Sequence, residues 1–364
     1  MLFNISVKQH KPTGKESSMA NSQTIRDQVN QAVENVLGAI ERERERDVIV
    51  RRFGLKGKKE TLELVGETLG ITRERVRQIE KATLIRAKLS LDDGKNPAFD
   101  VAEKEIVKAL HELGRAAKTD TLTEKVVGEN DNEMRAALVF LSELSSKTLV
   151  TRENDRYYMG VVLSTDDEDK KVKSETDKIV VAIKSHGKPV TVDEMFELVQ
   201  GYEHPDQVKA LASLSKQIAT LNGLWGLIRW PEVNPKNIRD KIMVVMSENG
   251  KPMHFSEIAG AIKDRDFKRN DVTQQAIHNE LIKDDRFILV GRGLYGLSDW
   301  GYHAGTLSDI IIEILKSESP LHREEIIRRV LKQRHIREAT ILLTLQNDKS
   351  FKRVSKSQYA LTDK

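Results

Sequence analysis

The chain has 364 residues, 60 Lys/Arg against 56 Asp/Glu, a formal net charge of +4, 5% aromatic residues and no cysteine. Its length predicts two or three domains of ordinary size, and the lack of cysteine excludes disulfides, cysteine-ligated zinc fingers and thiol catalysis. No apolar run reaches the roughly eighteen residues that a membrane span needs, and the first twenty residues lack the continuous apolar core of a secretory signal, so a cytoplasmic protein is expected.

Residues 1–20 read as a disordered lead. From 21 to 40, Ile25, Val29, Val33, Val36, Leu37 and Ile40 recur at helical spacing and predict a lead-in helix. Next comes a charged helix carrying Val48, Ile49 and Phe53, with Gly54 placed to end it, and then the basic loop KGKKE. Between Glu41 and Ser90 there are fourteen Lys/Arg and nine Asp/Glu, a local charge of +5, which leaves about −1 for the rest of the chain. Such a segment is expected either to contact phosphate or simply to form a solvated surface.

Residues 61–89 are the most informative. Thr61 is a capping residue for a short helix whose inward positions are Leu62, Val65, Gly66 and Leu69. Gly70 suits a tight turn, Ile71 plugs the core, and Thr72 caps a second helix on which Val76 and Ile79 face inward. Together these positions predict a helix-turn-helix. With Thr72 as cap, Arg73 and Glu74 occupy the first turn, and Arg77 and Gln78 lie four residues on, opposite Val76 and Ile79. Recognition helices present such N-terminal residues to base edges, where Arg suits guanine, Gln adenine and Glu the cytosine amino group. The plain alternative is an amphipathic helix with (i, i+4) links. In that helix Arg73 and Arg77 would be an unfavourable like-charge pair, which argues for a facing anion.

The run RERERDVIVRRFGL, a short loop and TLELVGETLGITRERVRQIEKATLIRAKL resemble region 4 of bacterial primary sigma factors, over about residues 41–90. The resemblance implies that this helix reads the −35 element of double-stranded promoter DNA through Arg73, Glu74, Arg77 and Gln78. It also implies that Arg44, Arg52, Thr61, Thr72, Arg75 and Lys81 lie near backbone phosphates, and that the domain docks on the flap of the RNA polymerase β subunit. The family's aromatic-rich promoter-melting region has no counterpart here. About forty residues precede the motif and carry one aromatic, Phe3, so unaided promoter opening is not expected.

The remainder is repetitive. IVVAIKSHGKPVTVDEMFELV, IMVVMSENGKPMHFSEIAGAI and IIIEILKSESPLHREEIIRRV share a plan of helix, small–Pro step, two helices and a closing hairpin. Pro189 and Pro252 lie 63 residues apart, and Pro320 follows 68 residues later. This predicts a mainly α protein in which the helix-turn-helix domain (21–95) precedes a tandem array of winged helices. The array comprises a degenerate unit at 96–163, a charged linker at 164–175, and units at 176–235, 236–302 and 303–364. Turn residues at Glu153-Asn154-Asp155, Gly291-Arg292-Gly293 and Lys356-Ser357 suit hairpin tips, which makes Arg292 and Lys356 the wing residues for nucleic-acid contact. NGKPMHFSEIAGAI and LIKDDRFILVGRGLYGLSDW resemble the HARE-type winged helix, a family that includes the N-terminal domain of the polymerase delta subunit. The repeats either bind DNA or serve as interaction modules. In the third unit TQQAIHNELIKDD is not basic, whereas the fourth carries Arg328, Arg329, Lys332, Arg334 and Arg337.

The histidines His254, His278, His303, His322 and His335 are scattered over different repeats without paired ligand spacing, so no metal site is expected. There is no phosphate-binding Gly-rich loop, nucleophile elbow or dinucleotide fingerprint. The expectation is a non-enzyme without cofactor, small-molecule substrate or membrane partner. It would be a nucleoid-associated, sequence-specific transcription factor, or alternatively an adaptor or modified-DNA/restriction-associated binding protein.

Overall fold

A computed structural model describes residues 14–92, 96–163, 169–265, 267, 269–302 and 305–362. Sixteen helices and eleven short strands are present among the described residues, so the protein is mainly α with small sheets. None of these helices is long and apolar enough to cross a membrane.

The chain divides into two compact units, 1–228 and 229–364. The first opens with α1 (Gly14–Gly38), which already includes part of the stretch expected to be a disordered lead; residues 1–13 lie outside the described residues. Then follow α2 (Glu43–Phe53), α3 (Leu62–Leu69) and α4 (Arg73–Asp92). A first repeat comprises α5 (Pro97–Glu112), β1 (Ala116–Lys118), α6 (Thr119–Val127), α7 (Asn132–Leu144), β2 (Thr148–Thr151) and β3 (Gly160–Leu163). A second comprises α8 (Asp169–His186), α9 (Val192–Glu197), α10 (Pro205–Ser213), β4 (Ile218–Leu221) and β5 (Leu224–Leu227). Because α8 starts at Asp169, much of the expected linker is helical; residues 164–168 lie outside the described ones.

The second compact unit repeats the order. The third repeat is α11 (Ile238–Asn249), β6 (Met253–His254), α12 (Phe255–Lys263), α13 (Gln274–Lys283), β7 (Phe287–Gly291) and β8 (Leu294–Leu297). The fourth is α14 (Leu307–Ser317), β9 (Leu321–His322), α15 (Arg323–Gln333), α16 (Glu338–Asn347), β10 (Phe351–Arg353) and β11 (Gln358–Leu361). In the first, third and fourth repeats the strand after the first helix joins the hairpin antiparallel to its second strand, giving the orders β1-β3-β2, β6-β8-β7 and β10-β11-β9. In the second repeat a single bridge, Val190 to Trp225, occupies the same place. Its hairpin turns on Asn222-Gly223, both at positive φ, the conformation that matches a two-residue loop to the twist of its strands.

The largest difference from the sequence expectation concerns α1. Its apolar stripe does not serve the helix-turn-helix alone. Val29, Ala32, Val33, Val36, Leu37 and Ile40, with Ile49 of α2, belong to one core with Phe99, Ile106 and Leu110 of α5 and Leu138, Phe140 and Leu141 of α7. A division at residue 95 therefore cuts through a continuous core. Polar contacts reinforce it. The Asn96 side chain caps α5 by accepting from Phe99 N at 3.2 Å and accepts from Asn35 Nδ2 of α1 at the same distance. Arg26 of α1 pairs with Asp131 at 2.8 Å and with Glu129, just before α7. Phe53, the last residue of α2, meets Phe140 edge-to-face with ring centres 5.1 Å apart. Truncating a buried aromatic costs about 3–5 kcal/mol. Phe140→Ala is thus expected to lower stability by that order, and hydrogen exchange should show protection falling in α1 and α2 together with α7. Loss confined to α7 would show the two parts to be separate domains.

Candidate nucleic-acid interface

The helix-turn-helix rests on a very small core. Val48, Val65 and Val76 are fully buried, with Leu62, Leu69, Ile71 and Ile79 packed around them. Its angle is set by backbone detail. Thr61 caps α3 by accepting from Leu64 N at 3.2 Å, and Gly70 ends it at φ +63°. Ile71 N donates to Gly66 O at 2.9 Å, and a Cβ at Gly66 would lie 2.7 Å from Ile71 O, so only glycine lets the turn close onto α3. Thr72 then accepts from Arg75 N at 3.2 Å, starting α4 where the capping pattern places it.

From that start α4 presents Arg73, Glu74, Arg77 and Gln78 together on an open face. The side chains of Arg73, Glu74 and Arg77 are 69%, 57% and 56% exposed, so no neighbouring repeat covers them. They are held by one another. Arg77 donates Nε and Nη2 to the Glu74 carboxylate at 2.8 and 2.7 Å, and Gln78 Nε2 donates to Glu74 Oε1 at 3.4 Å. Arg73 reaches Glu63 on α3 at 2.7 Å, and Arg75 donates to Gln78 Oε1 at 3.3 Å. The Arg77 hydrogen bonds hold the Glu74 carboxyl below its ordinary range. The like-charge strain expected between Arg73 and Arg77 is therefore relieved internally, each guanidinium having its own carboxylate. Sequence spacing did not reveal Glu63, because the pair spans the turn.

The residues expected near phosphate fall into three groups. Arg75 and Lys81 are exposed, and Lys81 has no ion-pair partner among the described residues. Thr61 and Thr72 are exposed at helix N-termini, where their oxygens cap. Arg44 and Arg52 are engaged inside the domain. Arg44 Nη2 donates to Leu69 O at 2.8 Å at the end of α3, and the half-buried Arg52 pairs with Glu80 at 2.8 Å while also donating to Glu60 O. Arg52 braces α2 against α4, a task that its position in the motif does not distinguish from phosphate contact.

The repeats look different. Arg292 is exposed, but on a two-residue turn, and its hairpin is engaged: His335 N donates to Val290 O at 2.8 Å. In the first repeat the segment after the expected wing tip is docked on the second, through Tyr158 N to Leu214 O and Lys216 N to Arg156 O, both 2.8 Å. Lys356 is exposed on a turn that Arg353 braces by donating to Ser355 O at 3.0 Å. The third helices carry little positive charge: α16 has no Lys or Arg, and α13 has only Lys283. In the fourth repeat Arg328 and Arg329 sit on α15, bound to Glu325 at 2.7 and 2.6 Å, and hold its carboxyl at about 2. Arg334 is buried and donates to Gly305 O at 2.7 Å.

Residues 42–86 match the family model of sigma-70, region 4. The chain is 40% identical over 86 residues to the RNA polymerase sigma factor SigA of Microcystis aeruginosa and to that of Synechocystis sp., covering 20% of this chain and 20% of each relative. It is 59% identical over 39 residues to the RNA polymerase sigma factor RpoS of Coxiella burnetii, covering 10% of this chain and 11% of that one. The chain thus spans about one fifth of the length of the first two relatives it matches. No solved structure matches it.

Two expectations follow. Followed by carboxyl carbon shifts, Glu74 should titrate below the usual glutamate range and return to it in Arg77→Gln; the network's contribution is present above the ordinary value and lost as pH falls through the depressed one. An unchanged Glu74 titration would mean that the pair does not form. Gly66→Ala should destabilise by about 1–3 kcal/mol in thermal unfolding, as overpacking against a fixed carbonyl does.

Proposed function

We propose that this protein is a non-catalytic, sequence-specific DNA-binding protein of transcription, with α4 in the major groove of −35-like promoter elements. The observation that carries the reading is the exposed face of Arg73, Glu74, Arg77 and Gln78 on a capped helix, within the segment matching sigma-70 region 4. Binding exchanges internal partners for bases. Arg73 and Arg77 turn from carboxylates to guanine edges, while Glu74 either keeps Arg77 oriented or accepts from cytosine. Arg75, Lys81, Thr61 and Thr72 supply the phosphate contacts that set register. Similarity to RNA polymerase sigma factors supports RNA polymerase as a partner; docking on the flap of its β subunit and action in the cytoplasm at the nucleoid are part of the same proposal.

We read the four repeats as winged helices on the strength of their shared order of three helices and a hairpin, with a strand after the first helix in the first, third and fourth, and the third repeat as HARE type on its sequence resemblance. Their neutral third helices and engaged hairpins favour protein contact over groove reading. A second reading, an adaptor that uses all its helical modules for protein partners, draws on the same observation.

Selection of duplexes from a random pool by the full chain separates the two. The proposal expects a TTGACA-like element to be enriched. It also expects Arg77→Ala to lose about 1–3 kcal/mol of affinity and relax preference at one position, whereas Arg328→Ala changes nothing. An affinity independent of salt, or a pool without an enriched motif, would establish the adaptor instead.

A further inference from the structure

A cavity of about 490 Å³ lies between the α2–α3 loop and the first repeat, away from the reading face of α4 in sequence and in its lining residues. The apolar side chains Phe53 and Val139 contribute to its wall, and the polar lining is dominated by cations: Lys58 and Lys59 from the loop, Lys118 at the end of β1, and Arg135 on α7. Two carboxylates share the space and both are already engaged, Asp120 with Arg135 and Glu153 with Lys216 at 2.6 Å. Lys58, Lys59 and Lys118 have no carboxylate within ion-pair distance among the described residues. The Lys118 ammonium instead sits 4.6 Å from the centre of the Tyr158 ring.

The fold holds the backbone of the lysine-bearing loop in place. Gly54 at φ +75° packs so tightly on the loop that a Cβ there would lie 2.7 Å from Lys59 N, and Glu60 N is tied to Arg51 O at 3.0 Å. Loss of water around the ammonium groups pushes both Lys59 and Lys118 below the ordinary lysine value, and the Arg52 guanidinium pushes Lys59 further down. Burial of the Lys59 and Lys118 ammonium groups thus carries a solvation cost that Glu80 and Glu153, and Asp120, offset only in part. A bound polyanion offsets the remainder. Phosphate fits best, because its several oxygens accept from ammonium groups arriving from different directions. The volume lies in the range of small-molecule sites, about 300–1,000 Å³.

We propose that this cavity is a binding site for a phosphate group, held by Lys58, Lys59 and Lys118 and carried by a small phosphorylated molecule of up to nucleotide size or by a nucleic-acid backbone. A ligand there touches both the helix-turn-helix loop and the first repeat, and so bears on the joint through which the rest of the chain holds the DNA-binding domain.

The test uses the full chain, as wild type, Lys118→Gln and the Lys58→Gln/Lys59→Gln double variant, with thermal unfolding to confirm that each is folded. Calorimetric titration with inorganic triphosphate is expected to show one site per chain, weakened at least tenfold in both variants and unchanged in Arg77→Ala. That result identifies a free phosphorylated ligand. If the phosphate belongs to nucleic acid, triphosphate binds weakly or not at all, and the double variant instead lowers the slope of log affinity for duplex DNA against log salt by about 1.8, roughly 0.9 for each lost contact. Folded variants that alter neither triphosphate binding nor the salt slope would overturn the proposal. Because Arg77→Ala leaves the cavity intact, failure of promoter recognition and failure of the phosphate site are read separately.

Discussion

The packing of α1 against α5 and α7 is the constraint on which the rest of the N-terminal unit depends. A helix-turn-helix centred on three buried valines excludes too little water to hold a recognition helix rigidly by itself. Here the same helices are anchored in a far larger core that begins at Val29 and runs through Ile106 to Phe140. The Phe53–Phe140 contact ties the end of α2 to the first repeat, and the Arg26 and Asn35 contacts give α1 a unique register on it. The helix-turn-helix is thus one face of a composite domain. Strain or ligand binding in the first repeat has a direct route to α2 and α4.

The reading face is organised for exchange. Arg73, Glu74, Arg77 and Gln78 each have a partner of moderate strength on an exposed surface, where ion pairs contribute little to stability because water screens them. Such partners cost little to give up and keep long side chains from collapsing in unproductive directions. Glu74 has the central place, since its one carboxylate orients both Arg77 and Gln78. An acid at that point in a basic face is hard to explain as a phosphate contact and easy to explain as a device that points its neighbours.

Charge divides the chain into parts with different tasks. The helix-turn-helix segment concentrates cations on α2, the α2–α3 loop and α4. In the fourth repeat Arg328 and Arg329 are held by Glu325 and Glu318 and Arg334 is buried, while Arg323 and Arg337 stay exposed, and the hairpins of the first and third repeats are hydrogen-bonded to the repeat that follows. An array whose edges pair with one another protects its unpaired strand groups and leaves mainly helix faces available to partners.

Much of this was legible in the residues. The cap at Thr72, the turn at Gly70, the inward Val65 and Val76, the outward Arg73, Glu74, Arg77 and Gln78, and the recurring helix–hairpin plan all depend on local backbone chemistry and short periodicity, which act within a few residues and so leave a direct trace in the sequence. The tertiary structure alone decided which core receives the stripe of α1, that Arg52 and Arg44 brace the domain from within, that Glu63 answers Arg73, and that Lys118 of β1 meets the loop lysines Lys58 and Lys59 in one cavity. Those outcomes depend on long-range packing, where an apolar stripe fits any partner of suitable shape and a cation pairs with whichever carboxylate the chain brings near. Residue type and spacing therefore fixed the local geometry of the helices, and only the folded chain chose their partners.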